Sequence, residues 1–333
     1  MNDPLIVSAS PHLQAGTSTK KLMVHVIIAL MPALVMSILN FGLQALVLTI
    51  GVTGACVGTE YVCRRLMKRK QTIGDLSAVV TGLILSLSLP PGLPVWMGIV
   101  GAIAAIGLIK QAFGGLGFNF LNPANGARAM LMLSFPLAMS MYLQPGTLFG
   151  DSASQTSQAP LQEEAVSSGT QAWEARSSAT PLSDLASGES HSGYRSLFWG
   201  PVAGPLGSVS PAALLLGGLY LILKRVISPL VPGVMMVTIL VMALLLGADP
   251  VGHLLSGGVM MAAFFMATDP VSSPLTGRGR LLFAMGTGIL ALLIRLYGDF
   301  PDGVSFALIL MNILVPYLDR LTGPKPNKAG GAK

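Results

Sequence analysis

The sequence predicts an all-α polytopic membrane protein with about ten transmembrane helices, arranged as two inverted five-helix repeats in which some helices are broken. Composition, the spacing of apolar runs and the placement of charge each lead to this class. Apolar residues make up 52% of the 333 and only 10% are charged, whereas a soluble domain carries roughly 25% charged residues. The mean hydropathy is +0.68.

Taken in order, the apolar runs at 22–39 and 43–63 are each long enough to cross a hydrocarbon core of about 30 Å. The run at 76–89 measures roughly 21 Å as a helix and stops at Pro90-Pro91. It reads as a half-helix or broken helix, packed inside protein where its free backbone groups find partners. Runs at 94–109 and 123–141 complete the first half. After a long polar stretch come 210–223, 229–247, 251–267, 278–297 and 301–318, of which the third and fifth are the less regular. The first twenty residues are polar and contain Pro4 and Pro11, so the first span is expected to act as its own insertion signal.

Charge placement tests the count independently, because Lys and Arg accumulate in cytoplasmic segments. With ten spans and the N-terminus inside, all but four of the 20 basic residues (Arg128, Arg176, Arg195 and Arg295) fall on the inner side, Lys110 included. The outer connections hold Asp249, Asp299, Asp302 and the acid-rich stretch with Asp151, Glu163, Glu164, Glu174, Asp184 and Glu189. The implied division is a cytoplasmic N-terminus at 1–21, membrane repeats at 22–141 and 210–319, an outer loop at 142–209, and a basic cytoplasmic tail at 320–333. The net charge of +6 is thus a topology signal, and no nucleic-acid partner is expected.

Five spans on each side of the loop force the halves to enter the bilayer with opposite orientation. Short echoes agree: Asn125-Gly126-Ala127 opens the fifth span as Asp302-Gly303-Val304 opens the tenth, and Thr81-Gly82 in the third is echoed by Ser256-Gly257-Gly258 in the eighth. Broken helices of such repeats meet near the membrane centre and build the site. Polar residues at that depth are Asn119, Asn122, Asn125, Arg128, Thr268, Asp269 and Asn312. For Arg128 and Asp269 two readings stand, a functional membrane site or a snorkelling side chain and a helix cap. Glu60 either reaches water at the inner end of its span or takes part in a proton or cation relay.

Cys56 and Cys63 are too few for an iron–sulfur cluster, and the 4 histidines show no metal spacing. The run Phe113-Gly114-Gly115-Leu116-Gly117 lets backbone amides approach a ring or an anion closely. No phosphate-loop or strand-glycine-helix pattern occurs, so nucleotide hydrolysis and nicotinamide binding are not expected of this chain.

The ordered motifs carry a family likeness. Ser10-Pro11-His12, Thr81-Gly82 to Leu89-Pro90-Pro91, the glycine run at 113–117, Asn122-Pro123-Ala124, Leu254-Leu255-Ser256-Gly257-Gly258, Ala267-Thr268-Asp269-Pro270-Val271, Gly279-Arg280-Leu281 and Gly303-Val304-Ser305-Phe306-Ala307 together resemble the RnfD membrane component of Rnf electron-transport complexes, related to the NqrB component of the sodium-pumping NADH:quinone reductase. The resemblance implies a redox complex of six kinds of subunit in the bacterial inner membrane. It implies electron transfer between NADH and ferredoxin coupled to Na+ or H+ movement, by a component not active alone, and a fold like that of urea transporters.

It also implies covalent FMN, joined through its phosphate to a threonine in an Asp-x-x-Ser/Thr-Gly/Ser-Ala-Thr pattern by a flavin transferase outside the cytoplasm. Here the pattern reads Glu174-Ala175-Arg176-Ser177-Ser178-Ala179-Thr180. Thr180 is the implied acceptor, Ser177, Ser178 and Ala179 its approach, and Glu174 keeps the carboxylate one methylene further out. A second, noncovalent flavin, riboflavin, is implied within the membrane, with Asn122, Arg128 and Asp269 as its candidate surroundings. Composition alone assigns the Thr180 stretch to linker. A urea-transporter-like channel or transporter for a small solute is the competing class, and a channel has no use for the Thr180 motif. A reporter fused near Gln162 is expected to read as periplasmic, and a cytoplasmic readout there would overturn the ten-span topology.

Overall fold

A computed structural model describes residues 18–143, 145–146, 193–200, 202–298 and 302–323, so Glu174, Ser177, Ser178, Ala179 and Thr180 lie outside the described residues. Among the described residues every regular element is helical. Helix α1 (Thr19–Leu66) begins at Ser18, whose side chain accepts from Lys21 N at 3.3 Å. Its 48 residues measure about 72 Å, more than twice the hydrocarbon thickness. Gly42, at φ 63° and ψ −144°, breaks it into arms at 19–41 and 43–66, where the sequence has two separate apolar runs. Buried Phe41, Ala45, Leu48, Val52, Cys56 and Glu60 recur every three or four residues and form one stripe. Leu39, Leu43, Val47 and Ile50 face outward, which suits a surface bathed in lipid rather than water.

Helix α2 (Ser77–Ser88) is nearly all buried and spans only about 18 Å. Its last turn ends against the chain at 206–207, where Leu206 N donates to Leu89 O at 3.0 Å and Gly207 N to Leu87 O at 2.6 Å. Glycine is required at 207, since a Cβ there would sit 2.7 Å from that of Leu87. Helix α3 (Val95–Ile103) runs on through a π-helical turn at Ala104–Gln111. Helix α4 (Pro123–Ser134), capped by Asn122, is interrupted at Phe135 before the short α5 (Pro136–Met139).

The second half repeats these devices. After α6 (Tyr194–Trp199) come α7 (Pro211–Leu223) and α8 (Leu230–Leu245). The eighth apolar run is split: α9 (Pro250–Leu255) stops at Gly257 and Gly258, both at positive φ, and α10 (Val259–Met261) continues as a π-helical turn at Ala262–Met266. The closing helices are α11 (Gly277–Tyr297) and α12 (Gly303–Thr322).

By length and apolarity α1, α11 and α12 suffice to cross a membrane, while α2, α7, α8 and the segment Val95–Gln111 are shorter apolar helices. α1 packs on α2, α3 and α7, α11 packs on α8 and α12, and α4 joins the halves through α12. α7 meets α1 backbone to side: a Cβ on Gly217 would lie 2.0 Å from Ala29 O. Gly217→Val should therefore destabilise the solubilised protein by about 3 kcal/mol, the upper range for overpacking. Gly233→Ala, with nothing within 4 Å, should leave the melting temperature unchanged.

Candidate functional site: two cavities with buried charged residues

Apart from an open apolar groove between α8 and α11, two cavities stand out, and the larger of these two, about 180 Å³, lies where the start of α2, the end of the π turn after α3, the loop before α4 and the loop after α10 converge. By the measure that gives one water roughly 10–15 Å³, it has room for about a dozen waters or one planar polycyclic ring. Its walls are mostly apolar, with Ile84, Phe264 and Phe265 among them, and its polar edge comprises Ser77, Lys110, Asn119, Asn122, Thr268 and Asp269.

Helix phase explains the polar edge. Asn122 caps α4, its Oδ1 accepting from Asn125 N at 3.1 Å, and its Nδ2 lies 3.5 Å from both Met266 O and Asp269 Oδ2. Asp269 accepts from Val271 N at 3.1 Å and from Ser272 Oγ at 3.2 Å, so it does cap the turn after α10 while also facing Asn122. The two π turns, closed by Ala112 N to Gly107 O at 3.0 Å and Ala267 N to Ala262 O at 2.7 Å, each absorb an extra residue and re-aim the side chains that follow. One of them delivers Lys110 and Gln111 to the cavity side of α1.

Lys110 and Glu60 require a correction. The charge count treats Lys110 as an inner-loop charge, and one of the two readings of Glu60 has it reach water, yet they are 1% and 0% exposed and bonded at 2.9 Å. Glu60 also accepts from Thr72 Oγ1 at 2.6 Å and Gln111 Nε2 at 3.2 Å, while Lys110 donates to Ser77 Oγ at 2.6 Å. An acid within an apolar run, with a lysine closing another run, is the sequence signal for such a pair, since buried charges seek partners.

Arg128 does not join Asn122 and Asp269. Six residues along α4 from Asn122 amount to a rotation of about 240° and a rise of about 9 Å. Arg128 is accordingly buried beside a second cavity of about 40 Å³, bounded by Tyr142, the chain at 202–209 and the break after α9. There it pairs with Asp302 at the start of α12, which excludes snorkelling to a headgroup. Asn125 Nδ2 donates to Ser305 O at 3.0 Å beside it. Arg128 Nε, Asp302 Oδ1, Ser208 Oγ and Ser256 Oγ are buried without a protein partner, and the space suits about three waters. Arg295, to which the sequence attaches no expectation, donates to the carbonyls of His253 (2.6 Å), Ser256 (3.2 Å) and Gly257 (2.9 Å). It thereby satisfies the break between α9 and α10.

Comparison with known proteins shows the family of the chain. Residues 6–328 match the NQR2, RnfD, RnfE family. The chain belongs to that family. Among its relatives in the NQR2, RnfD, RnfE family is the D component of the Na(+)-translocating ferredoxin:NAD(+) oxidoreductase complex of Acetobacterium woodii, 44% identical over 322 residues, covering 96% of this chain and 93% of that protein. The corresponding component of the proton-translocating ferredoxin:NAD(+) oxidoreductase complex of Clostridium ljungdahlii is 38% identical, with 96% and 94% covered. That of the ion-translocating oxidoreductase complex of Halorhodospira halophila is 35% identical, with 95% and 94% covered.

Removing one member of the second cavity's ion pair strands a buried charge, at about 3–5 kcal/mol. Arg128→Leu should lower the melting temperature of the purified protein sharply, and Arg128→Leu with Asp302→Leu should recover most of the loss.

Proposed function

We propose that this chain is the membrane subunit of an ion-translocating electron-transport complex, relaying electrons between NADH and ferredoxin in step with Na+ or H+ movement. The observation that carries the reading is end-to-end similarity to the D components of such complexes, at 44% identity in one case. The two cavities support it, because they lie among different connections. The larger one borders 22–26, 226–227 and 268–270, which basic residues mark as cytoplasmic, and the smaller borders 142, 202–209 and 302, which acidic residues mark as periplasmic.

On this reading the chain sits in a bacterial inner membrane with both termini cytoplasmic, and 142–209 form a periplasmic loop between inverted, urea-transporter-like repeats at 22–141 and 210–319. Lys110 and Arg295 support the repeat: each lies at or near the end of the fourth apolar run of its half, and each reaches a helix end, Lys110 at Ser77 and Arg295 at 256–257. Thr180 is the proposed attachment point for FMN, loaded by a periplasmic flavin transferase, and the other Rnf subunits supply and remove electrons.

The larger cavity is the proposed seat of a second, noncovalent flavin. Its apolar walls with Phe264 and Phe265 fit a ring system, and Asn119, Asn122 and Lys110 supply donors along one edge. Arg128 has no part in it. A flavin supplies one- and two-electron chemistry there, while the chain's residues position it and exclude water.

Expressed with a flavin transferase and run on a denaturing gel, the protein should fluoresce under ultraviolet light, and Thr180→Ala should be dark with membrane insertion intact. Wild type that stays dark would remove the covalent flavin from the proposal.

A further inference from the structure

Lys110 is placed for more than an ion pair. Its ammonium has three N–H donors, and Glu60 Oε2 at 2.9 Å and Ser77 Oγ at 2.6 Å engage two of them. Both Lys110 and Ser77 form part of the larger cavity's wall. The Ser77 hydroxyl in turn donates to Asp75 Oδ1 at 2.6 Å, which also accepts Ser77 N at 2.8 Å. Asp75 is half-buried beside exposed Gly74, on the short 3-10 turn at Ile73–Asp75. The result is an unbroken hydrogen-bonded row from the protein surface, through Asp75 and Ser77, to a cationic proton donor on the cavity wall.

The neighbours of that row fix it without interrupting it. Glu60, on the second arm of α1, is held by Thr72 and Gln111 as well as by Lys110. Cys56 lies one turn before Glu60 on the same buried stripe. Ser77 is the first residue of α2, and Leu76 before it adopts a left-handed conformation at φ 64°, which turns the chain so that Asp75 and Ser77 face each other.

We propose that Asp75, Ser77 and Lys110 form a proton-delivery path into the larger cavity, with Lys110 as the final donor to a reduced planar redox group. This rests on the reading of that cavity as a flavin seat. The electrons come from the donors of the complex, and the proton from water at the protein surface. An N–H bond of the Lys110 ammonium breaks as a bond from that proton to the acceptor forms. The freed Nζ lone pair takes the Ser77 hydroxyl proton, and the Asp75 carboxylate, on picking up a proton from solution, passes it to Ser77 Oγ and is a carboxylate again. Lys110, Ser77 and Asp75 return to their starting states, with one proton moved from water to the acceptor. Glu60 is a positioning residue that keeps the ammonium on the cavity wall.

The experiment uses the whole purified complex, reduced with NADH in a stopped-flow cell. Flavin bleaching reports electron arrival, a pH-indicator dye reports proton uptake, and acid extraction gives the noncovalent flavin content. In Ser77→Ala the dye signal should slow by about 100-fold, the lower end of what a positioned proton donor contributes, with flavin content unchanged. Ser77→Thr, which keeps the hydroxyl, should restore the wild-type rate. Lys110→Arg keeps the charge beside Glu60 but holds its proton permanently, and should show the same loss as Ser77→Ala. Wild-type dye kinetics in both Ser77→Ala and Lys110→Arg, with flavin present, would overturn the proton path alone. A wild-type complex that yields no extractable flavin while its covalent flavin is intact would overturn the cavity reading, and the path with it.

Discussion

Backbone polar groups inside hydrocarbon have no water to turn to, and this constraint shapes the whole chain. A continuous helix meets it automatically, so each place where helix stops must bring its own partner. At the end of α2 the partners are Leu206 N and Gly207 N. After α9 the Arg295 guanidinium takes three carbonyls. At Gly42 the freed carbonyl of Asn40 accepts Gly146 N at 3.0 Å. The smaller cavity forms beside the breaks after α2 and α9, bounded by 202–209 and by Leu255, Ser256 and Gly257.

Among the described residues two buried ion pairs link separate elements. Such pairs add little net stability over a packed apolar core, since both charges must leave water. Their value is positional. Glu60–Lys110 ties the second arm of α1 to the π turn after α3, and Arg128–Asp302 ties α4 to α12. One pair belongs to a single half of the chain and the other joins the halves, while the larger cavity draws its walls from both.

Much of this is legible in the sequence. Each apolar run contains helix, and the short run at 76–89, closed by Pro90-Pro91, is an enclosed 12-residue helix. Asn122 and Asp269 stand together because one caps α4 and the other the turn facing it. Arg128 stands apart from them because nearness along a helix is not nearness around it. Lys110 escapes a sequence reading because the rule that takes basic residues as topology markers counts charge and cannot see pairing, and Glu60 lies fifty residues away. Arg295 near the end of an apolar run gives no sign that its fork meets three carbonyls. The flavin attachment stretch at 174–180 rests on motif alone.

The single-residue break at Gly42 has an evolutionary consequence. Helix runs unbroken from there to Leu66, and each residue turns it by about 100°. One insertion or deletion between 49 and 59 would swing Glu60 out of phase with Ala45 and Leu48 and off Lys110. The second arm acts as a ruler that selection can recolour but not lengthen.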